Sequence, residues 1–308
     1  MAKNILHITN GDSLTNYLNE LNFEGDIFTW REMLCEGPVV PLIDSEDFFE
    51  KRRAFLNETY NIKLSDYTFN ADLKILENAD DYNEINLWFE YDLFCHINLI
   101  AAINLLHQKN IKKPIYLICS GYIDGEKLLK GLSELTTQQL KTHYDNKILL
   151  QKDDKDMAIA IWRTYCGTDH NILKPYITKK SNFKYLTNCL KAHSKRFPNA
   201  KTGLCTIEEN ILKLINEKNI KSKNHLLGYC LNYQGYYGFG DIQFRRMIEK
   251  LSFLFDESGN VLTLNSEGLK ALNGEKNYLN EIDNNIAFGG INRLDFVFST
   301  TENKLIKK

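Results

Sequence analysis

The 308-residue chain has no apolar run long enough to span a bilayer. This excludes a helical membrane span. Its start, Met1-Ala2-Lys3-Asn4-Ile5, lacks the apolar core of a signal peptide and passes directly into a strand pattern, so a cytoplasmic location is the expectation. Cys35, Cys95, Cys119, Cys166, Cys189, Cys205 and Cys230 are scattered and odd in number, with no Cys-x-x-Cys pair. That argues against a disulfide framework or a zinc ribbon and leaves the cysteines as small apolar residues in a reduced compartment. Gly-x-x-x-x-Gly-Lys-Ser/Thr, Gly-x-Gly-x-x-Gly and Gly-x-Ser-x-Gly are all missing, which removes the usual sequence grounds for a Walker loop, a dinucleotide fingerprint or a hydrolase elbow. Internal repeats and low-complexity linkers are absent too.

The chain is long enough for a sizeable core and for two domains. Its 43% hydrophobic and 25% charged residues are ordinary for a globular protein, and aromatics are plentiful at 12%. The net charge of −2 hides an asymmetry. Residues 1–110 carry roughly 8 basic against 19 acidic side chains, a net of about −11, and residues 183–256 roughly 12 against 6, a net of about +6. Either two oppositely charged halves pack on each other, or the basic region meets an acidic partner such as nucleic acid.

Strand-like runs at Lys3–Thr9, Ile27–Trp30, Glu84–Glu90 and Pro114–Cys119 alternate with helical spacing. Leu14, Tyr17, Leu18 and Leu21 define a first helix, with Asp12 or Ser13 as its cap. Leu93, Ile97, Ile100, Ala101 and Leu105 define an apolar helix over Asp92–His107. Ser45–Tyr60, capped by Asp44 or Ser45, and Asp66–Asn78 form a helical insertion over 45–80. Short helices follow at Glu126–Leu132 and Thr136–Tyr144. The pattern predicts a doubly wound, mainly parallel four-stranded α/β domain over 1–150. A helical half follows over 151–308, with helices at Asp156–Cys166, Phe183–Phe197, Thr206–Glu217, Lys223–Cys230 and Asp241–Leu251. Thr206 and Glu209 have the spacing of a capping box. Leu254–Asp256 and Val261–Thr263, joined through Gly259, read as a hairpin, and Ser266–Leu272 as a closing helix. Residues 203–275 therefore predict a winged-helix-like unit.

The most informative feature is that all four strands of the first domain run into polar segments: Asn10-Gly11-Asp12-Ser13, Trp30-Arg31-Glu32 with Glu36-Gly37-Pro38, Glu90-Tyr91-Asp92, and Ser120-Gly121-Tyr122. Parallel α/β sheets present ligand sites where strand carboxyl ends meet loops, so these exits predict one shared pocket.

Three of these stretches carry a resemblance. His7 to Ser13, Trp30-Arg31-Glu32 with Glu36-Gly37-Pro38, and Trp88-Phe89-Glu90-Tyr91-Asp92-Leu93-Phe94 resemble the signature stretches of the bacterial domain of unknown function family 1835. Ala160-Ile161-Trp162-Arg163, Ala192-His193, Arg196-Phe197-Pro198, Gly203-Leu204 and Gly289-Gly290 resemble its companion, family 3658. The resemblance covers most of the chain outside 45–80. It implies an architecture and a set of positions rather than a mechanism. Members often carry Asp-Gln where this chain has Cys95-His96, and Arg-Asp where it has Arg31-Glu32, a change that keeps the carboxylate and adds a methylene.

In chemical terms, backbone N–H groups at Asn10–Ser13 suit a phosphate or carboxylate, with Gly11 admitting the ligand and Ser13 as a donor. Asp12 opposes an anion unless a cation intervenes. Arg31 is a clamp for an anion and Trp30 a stacking surface, or Trp30 fills core and Arg31 pairs with Glu32 or Glu90. Asp92 and His96 stand one helical turn apart. With Glu90, Asp12, Glu32 or Glu36 they form a set for Mg²⁺ or Mn²⁺, or for acid–base work; in the plainer alternative Asp92 caps its helix. Ser120 is a ligand contact or a turn residue, His7 a core histidine, and Cys35 a remote nucleophile candidate. The leading expectation is a small-ligand site for a nucleotide or other phosphorylated molecule. The alternative is a regulatory protein that binds DNA or a protein partner through Gln243, Arg245, Arg246 and Lys250, with Tyr233, Tyr236, Tyr237 and Phe239 as an aromatic loop before them.

Overall fold

The computed structural model describes residues 4–63, 65 and 67–308. The expected β–loop–α–β unit is present: β1 (Ile5–Asn10), α1 (Asp12–Glu20) and β2 (Asp26–Trp30). Next come a two-residue strand β3 (Gly37–Pro38), α2 (Glu46–Tyr60), β4 (Glu84–Phe89), α3 (Leu93–Gln108), β5 (Ile115–Cys119), α4 (Thr137–Asp145) and β6 (Ile148–Leu149). The sheet order is β2-β1-β4-β5-β6, parallel through β5, with β6 added antiparallel at the edge. The expected four-stranded sheet therefore has a fifth strand, which is too short to show a period.

β1 and β4 are buried almost end to end because both faces of the sheet are covered, so Glu84, Asn86 and Trp88, which alternate with Ile85, Leu87 and Phe89 in β4, are buried as well. α3 is buried around nearly its whole circumference, between the sheet on one side and α5 (Lys152–Tyr165) and α6 (Leu186–Ser194) on the other. One hydrophobic core thus runs from Leu6 in β1 through α3 to Ile282.

α2 is capped by Ser45, whose Oγ accepts from Phe48 N at 3.2 Å, and ends at Asn61 in the left-handed region. The helix expected over 66–78 begins at Asp66, outside the described residues, as does Lys3 at the expected start of β1. The described part is a short α-turn at Phe69–Asp72 followed by a 3₁₀ run at Leu73–Asp81. No helix forms over Glu126–Leu132: residues 120–131 are irregular, and only Leu132–Glu134 makes a 3₁₀ turn.

The C-terminal half holds α7 (Thr206–Glu217), α8 (Lys223–Asn232), α9 (Asp241–Lys250), the hairpin β7 (Phe255–Ser258) and β8 (Val261–Leu264), and α10 (Ser266–Asn273). The capping partner of α7 is one residue earlier than expected: Glu208 accepts from Cys205 N at 2.8 Å. This half is not purely helical. β9 (Ala287–Gly289), β10 (Ile291–Asn292), β11 (Phe296–Ser299) and β12 (Lys304–Lys307) follow. β9 pairs in parallel with β3, matching Gly37 to Phe288 and Pro38 to Gly289, so the tail is stitched to the loop after β2. Gly289 sits there at φ +66°, where a side chain would run into the Tyr165 carbonyl. Among the described residues no helix is long and apolar enough to cross a membrane.

Candidate functional site

The order β2-β1-β4-β5 puts the topological switch between the carboxyl ends of β1 and β4. Polar side chains fill that crevice. Asn10 donates to Cys95 Sγ at 3.1 Å and accepts from Asn98 at 2.8 Å, and Asn98 also donates to the Glu32 carbonyl at 2.6 Å. Instead of one shared pocket, two clefts flank this seam.

The first cleft, about 300 Å³, is lined by Asn10, Gly11, Asp12, Trp30, Arg31 and Glu32, together with Met33, Leu56, Ile62, Tyr67, Thr68 and Phe94. Six of the eleven ligand residues expected from sequence meet here. Their supporting apolar walls were not legible, because Leu56 and Ile62 belong to the insertion and Phe94 to a helix start. Gly11 precedes α1 at φ +93° with no side-chain cap, and a Cβ there would meet nothing within 4 Å. The cap expected from Asp12 or Ser13 does not form. Asp12 is the first residue inside the helix and pairs with Arg31 at 2.8 Å; Ser13 is exposed. Arg31 also meets Asp72 at 2.9 Å, so neither Glu32 nor Glu90 is its partner. The hydrogen bond to Asp12, and then that to Asp72, raises the guanidinium pKa further. Trp30 is buried, packing edge-on against Phe69 at 4.9 Å, and its indole N–H has no partner among the described residues. Trp30 is therefore a core residue with an unsatisfied indole N–H, and it forms part of the cleft wall.

Glu32 and Glu36 are structural. Glu32 is fully buried against Arg52 at 2.9 Å and accepts from Tyr67 Oη at 2.7 Å. Glu36 accepts from Arg246 at 3.0 Å and from Tyr60. Arg52 also donates to the Glu36 carbonyl at 2.7 Å and to that of Met33 at 3.2 Å, so one buried arginine shapes the whole Glu32–Pro38 loop.

The second cleft, about 520 Å³, is lined by Glu90, Asp92, Lys127, Lys130, Glu134 and Leu231 among others. Asp92 caps α3, accepting from Cys95 N at 2.8 Å. Half-buried Glu90 accepts from Leu132 N at 2.6 Å. Loss of hydration, then repulsion from Asp92, pushes Glu90 up to about 7; loss of hydration likewise raises Asp92 to about 6. Gly131 and Gly238 make room for these carboxylates: a Cβ on either would fall inside the Glu90 or Asp92 side chain.

Donor atoms of Glu90, Asp92 and Cys95 lie within 4.8 Å of one another. The donor set suits a divalent cation poorly. Cys95 offers a soft sulfur donor, where Mg²⁺ or Mn²⁺ calls for oxygen ligands. The other expected ligands do not converge: Glu32 and Glu36 are ion-paired, and Asp12 belongs to the first cleft. His96 is buried, bonded to the Asp92 carbonyl at 3.0 Å, and lowered to about 4 by burial.

The helix ends on the two sides differ. At α3 every first-turn N–H is taken: Tyr236 and Tyr237 carbonyls accept from Leu93 at 2.8 Å and Phe94 at 3.2 Å, and Asp92 serves Cys95 and His96. The aromatic loop 233–239 thus plugs α3, whereas the amino end of α1 is open.

The remaining candidates have structural roles. Ser120 is buried and donates to the Lys130 carbonyl at 2.9 Å. His7 is a satisfied core histidine, between the Trp88 indole and the Glu24 carbonyl, each at 3.0 Å. Cys35 is fully buried, with its thiol pushed up by loss of hydration. On α9, Gln243 is buried and Arg246 is turned into the Glu36 ion pair; Arg245 bonds Asn224 at 2.7 Å and Lys250 meets Asp283 at 2.9 Å. The four residues expected on nucleic acid thus do not share an open face.

No model of a known protein family matches the chain, and no characterised protein matches it either.

Proposed function

We propose that the protein binds a small molecule in the first cleft, at the carboxyl ends of β1 and β2. A nucleotide or another phosphorylated metabolite is the ligand class. The observation that carries this reading is an α1 amino terminus without a side-chain cap, opening onto a cleft that Trp30 and Arg31 also line. Arg31 adds a cationic fork, and the walls of Met33, Leu56, Ile62 and Phe94 suit a flat or apolar group. Asp12 and Asp72 outnumber Arg31, so a polyanion enters together with a divalent cation or by displacing Asp12 from the guanidinium. A thermal-shift series with nucleotides and sugar phosphates, with and without Mg²⁺, tests this. A binder raises the melting temperature of the protein, and Arg31→Ala removes the shift. If every shift persists in Arg31→Ala, the cleft is wrong.

We also propose kinship with families 1835 and 3658. Its support is the resemblance of the quoted sequence stretches alone. The helix–helix–helix–hairpin order over 203–275 supports a winged-helix-like reading of that unit. The inward set of Gln243 and Arg246 favours a packing role for α9 over contact with DNA.

A further inference from the structure

Where the two halves meet, a small void is lined by Glu36, Arg196, Arg246, Asn284, Phe288 and Arg293 among others. Its three arginines are not equally compensated. Arg246 pairs with Glu36 at 3.0 Å, and Arg293 with Glu208 at 2.6 Å. Arg196 is 1% exposed and has no carboxylate partner among the described residues. It lies over the Phe288 ring at 3.9 Å, donates to the Cys35 carbonyl, and gives a second N–H to His193 Nδ1 at 2.6 Å; its Nε–H has no partner.

The neighbouring groups do not supply the missing charge. His193 accepts from Arg196 at Nδ1 and shares a 2.8 Å hydrogen bond with His170 through Nε2, while His170 donates to the Tyr165 carbonyl at 2.9 Å. That chain of donors needs neutral imidazoles. Glu36 has Arg246 on one oxygen and the Tyr60 hydroxyl on the other. One positive charge is left without a counterion away from solvent, an arrangement proteins avoid by pairing or ligation.

We propose that this void is an anion site, taking a single small monovalent anion of the halide class on the Arg196 Nε–H. The centre of a water-sized sphere has about 10 Å³ in which to move there, room for one particle only. That excludes phosphate, sulfate and organic acids. Because Arg196 also holds the Cys35 carbonyl of one half and His193 of the other, the anion neutralises the residue that joins them.

Long-wavelength anomalous diffraction from crystals of the whole chain grown in chloride tests the site without any mutation. A chlorine peak within hydrogen-bond distance of Arg196 Nε is expected; a water there with no anomalous signal overturns the proposal. In solution, replacing chloride by the bulky anion gluconate at constant ionic strength lowers the melting temperature, and Arg196→Met abolishes that difference. Equal melting temperatures of the natural chain in the two salts contradict the site.

Discussion

Replacing Arg52 by Met removes the central tie of the Glu32–Pro38 loop while keeping an apolar stem of similar length. Both charged side chains of the Arg52–Glu32 pair are fully buried, 2.9 Å apart. Removing one partner of such a pair typically costs about 3–5 kcal/mol, because the other charge is left uncompensated. Glu32 keeps two donors, Tyr67 Oη at 2.7 Å and Met33 N at 3.1 Å, which places the loss at the low end. The carbonyls of Glu36 and Met33 also lose a donor, at about 1 kcal/mol each. The expected total is about 5 kcal/mol, read from the urea midpoint with an unchanged denaturant slope. In a double-mutant cycle with Glu32→Leu, the combined variant should recover about 2 kcal/mol relative to the sum of the single changes. A loss below about 1 kcal/mol, or strict additivity, would refute the idea that this pair organises the loop.

Three further outcomes follow from the structure. Glu90 and Asp92 titrate at higher pH in the folded chain than when unfolded, so between about pH 4.5 and 7 their contribution to stability falls as pH rises, opposite in sense to the buried histidines such as His96; the difference between the natural chain and Glu90→Gln in urea midpoints at pH 5 and 7.5 isolates the Glu90 part, and an identical pH dependence in the two would refute it. Gly238→Ala places a Cβ in the Asp92 carboxylate at a backbone φ of +69° and should cost about 2 kcal/mol, partly restored by Asp92→Ala; an unchanged urea midpoint would show that loop 233–239 yields freely. Arg246→Met should lower stability by about 3 kcal/mol through the stranded Glu36 carboxylate, and any duplex binding of the protein should keep its salt dependence; a large drop in the salt slope would return α9 to a nucleic-acid role.

The parallel strands, α2 with its Ser45 cap and the hairpin of β7 and β8 were readable because each depends on local pattern: apolar runs, a capping residue, and the Gly259-Asn260 turn. The short strands β3, β6, β9 and β10 were not, since two or three residues carry no period and their pairing is set by distant chain. The site was legible as a list of positions but not as a grouping. Asn10, Asp12 and Arg31 do share a cleft. Glu32 and Glu36, equally acidic and equally placed at a strand exit, are neutralised by Arg52 and Arg246, on helices 20 and 210 residues further along the chain. Sequence order gives no way to match a buried carboxylate with its arginine. The Glu36–Arg246 pair also gives the charge asymmetry an internal outlet between an acidic and a basic region.

The most direct test of the ligand site is to follow the three tryptophan indole N–H signals by NMR during titration with a nucleotide and Mg²⁺. The Trp88 N–H is held by His7 and the Trp162 N–H by the Pro41 carbonyl, whereas that of Trp30 has no partner. The Trp30 signal should shift and saturate while the other two hold still, and Arg31→Ala should abolish the change. A ligand that binds and leaves the Trp30 signal in place would contradict a site at the carboxyl ends of β1 and β2.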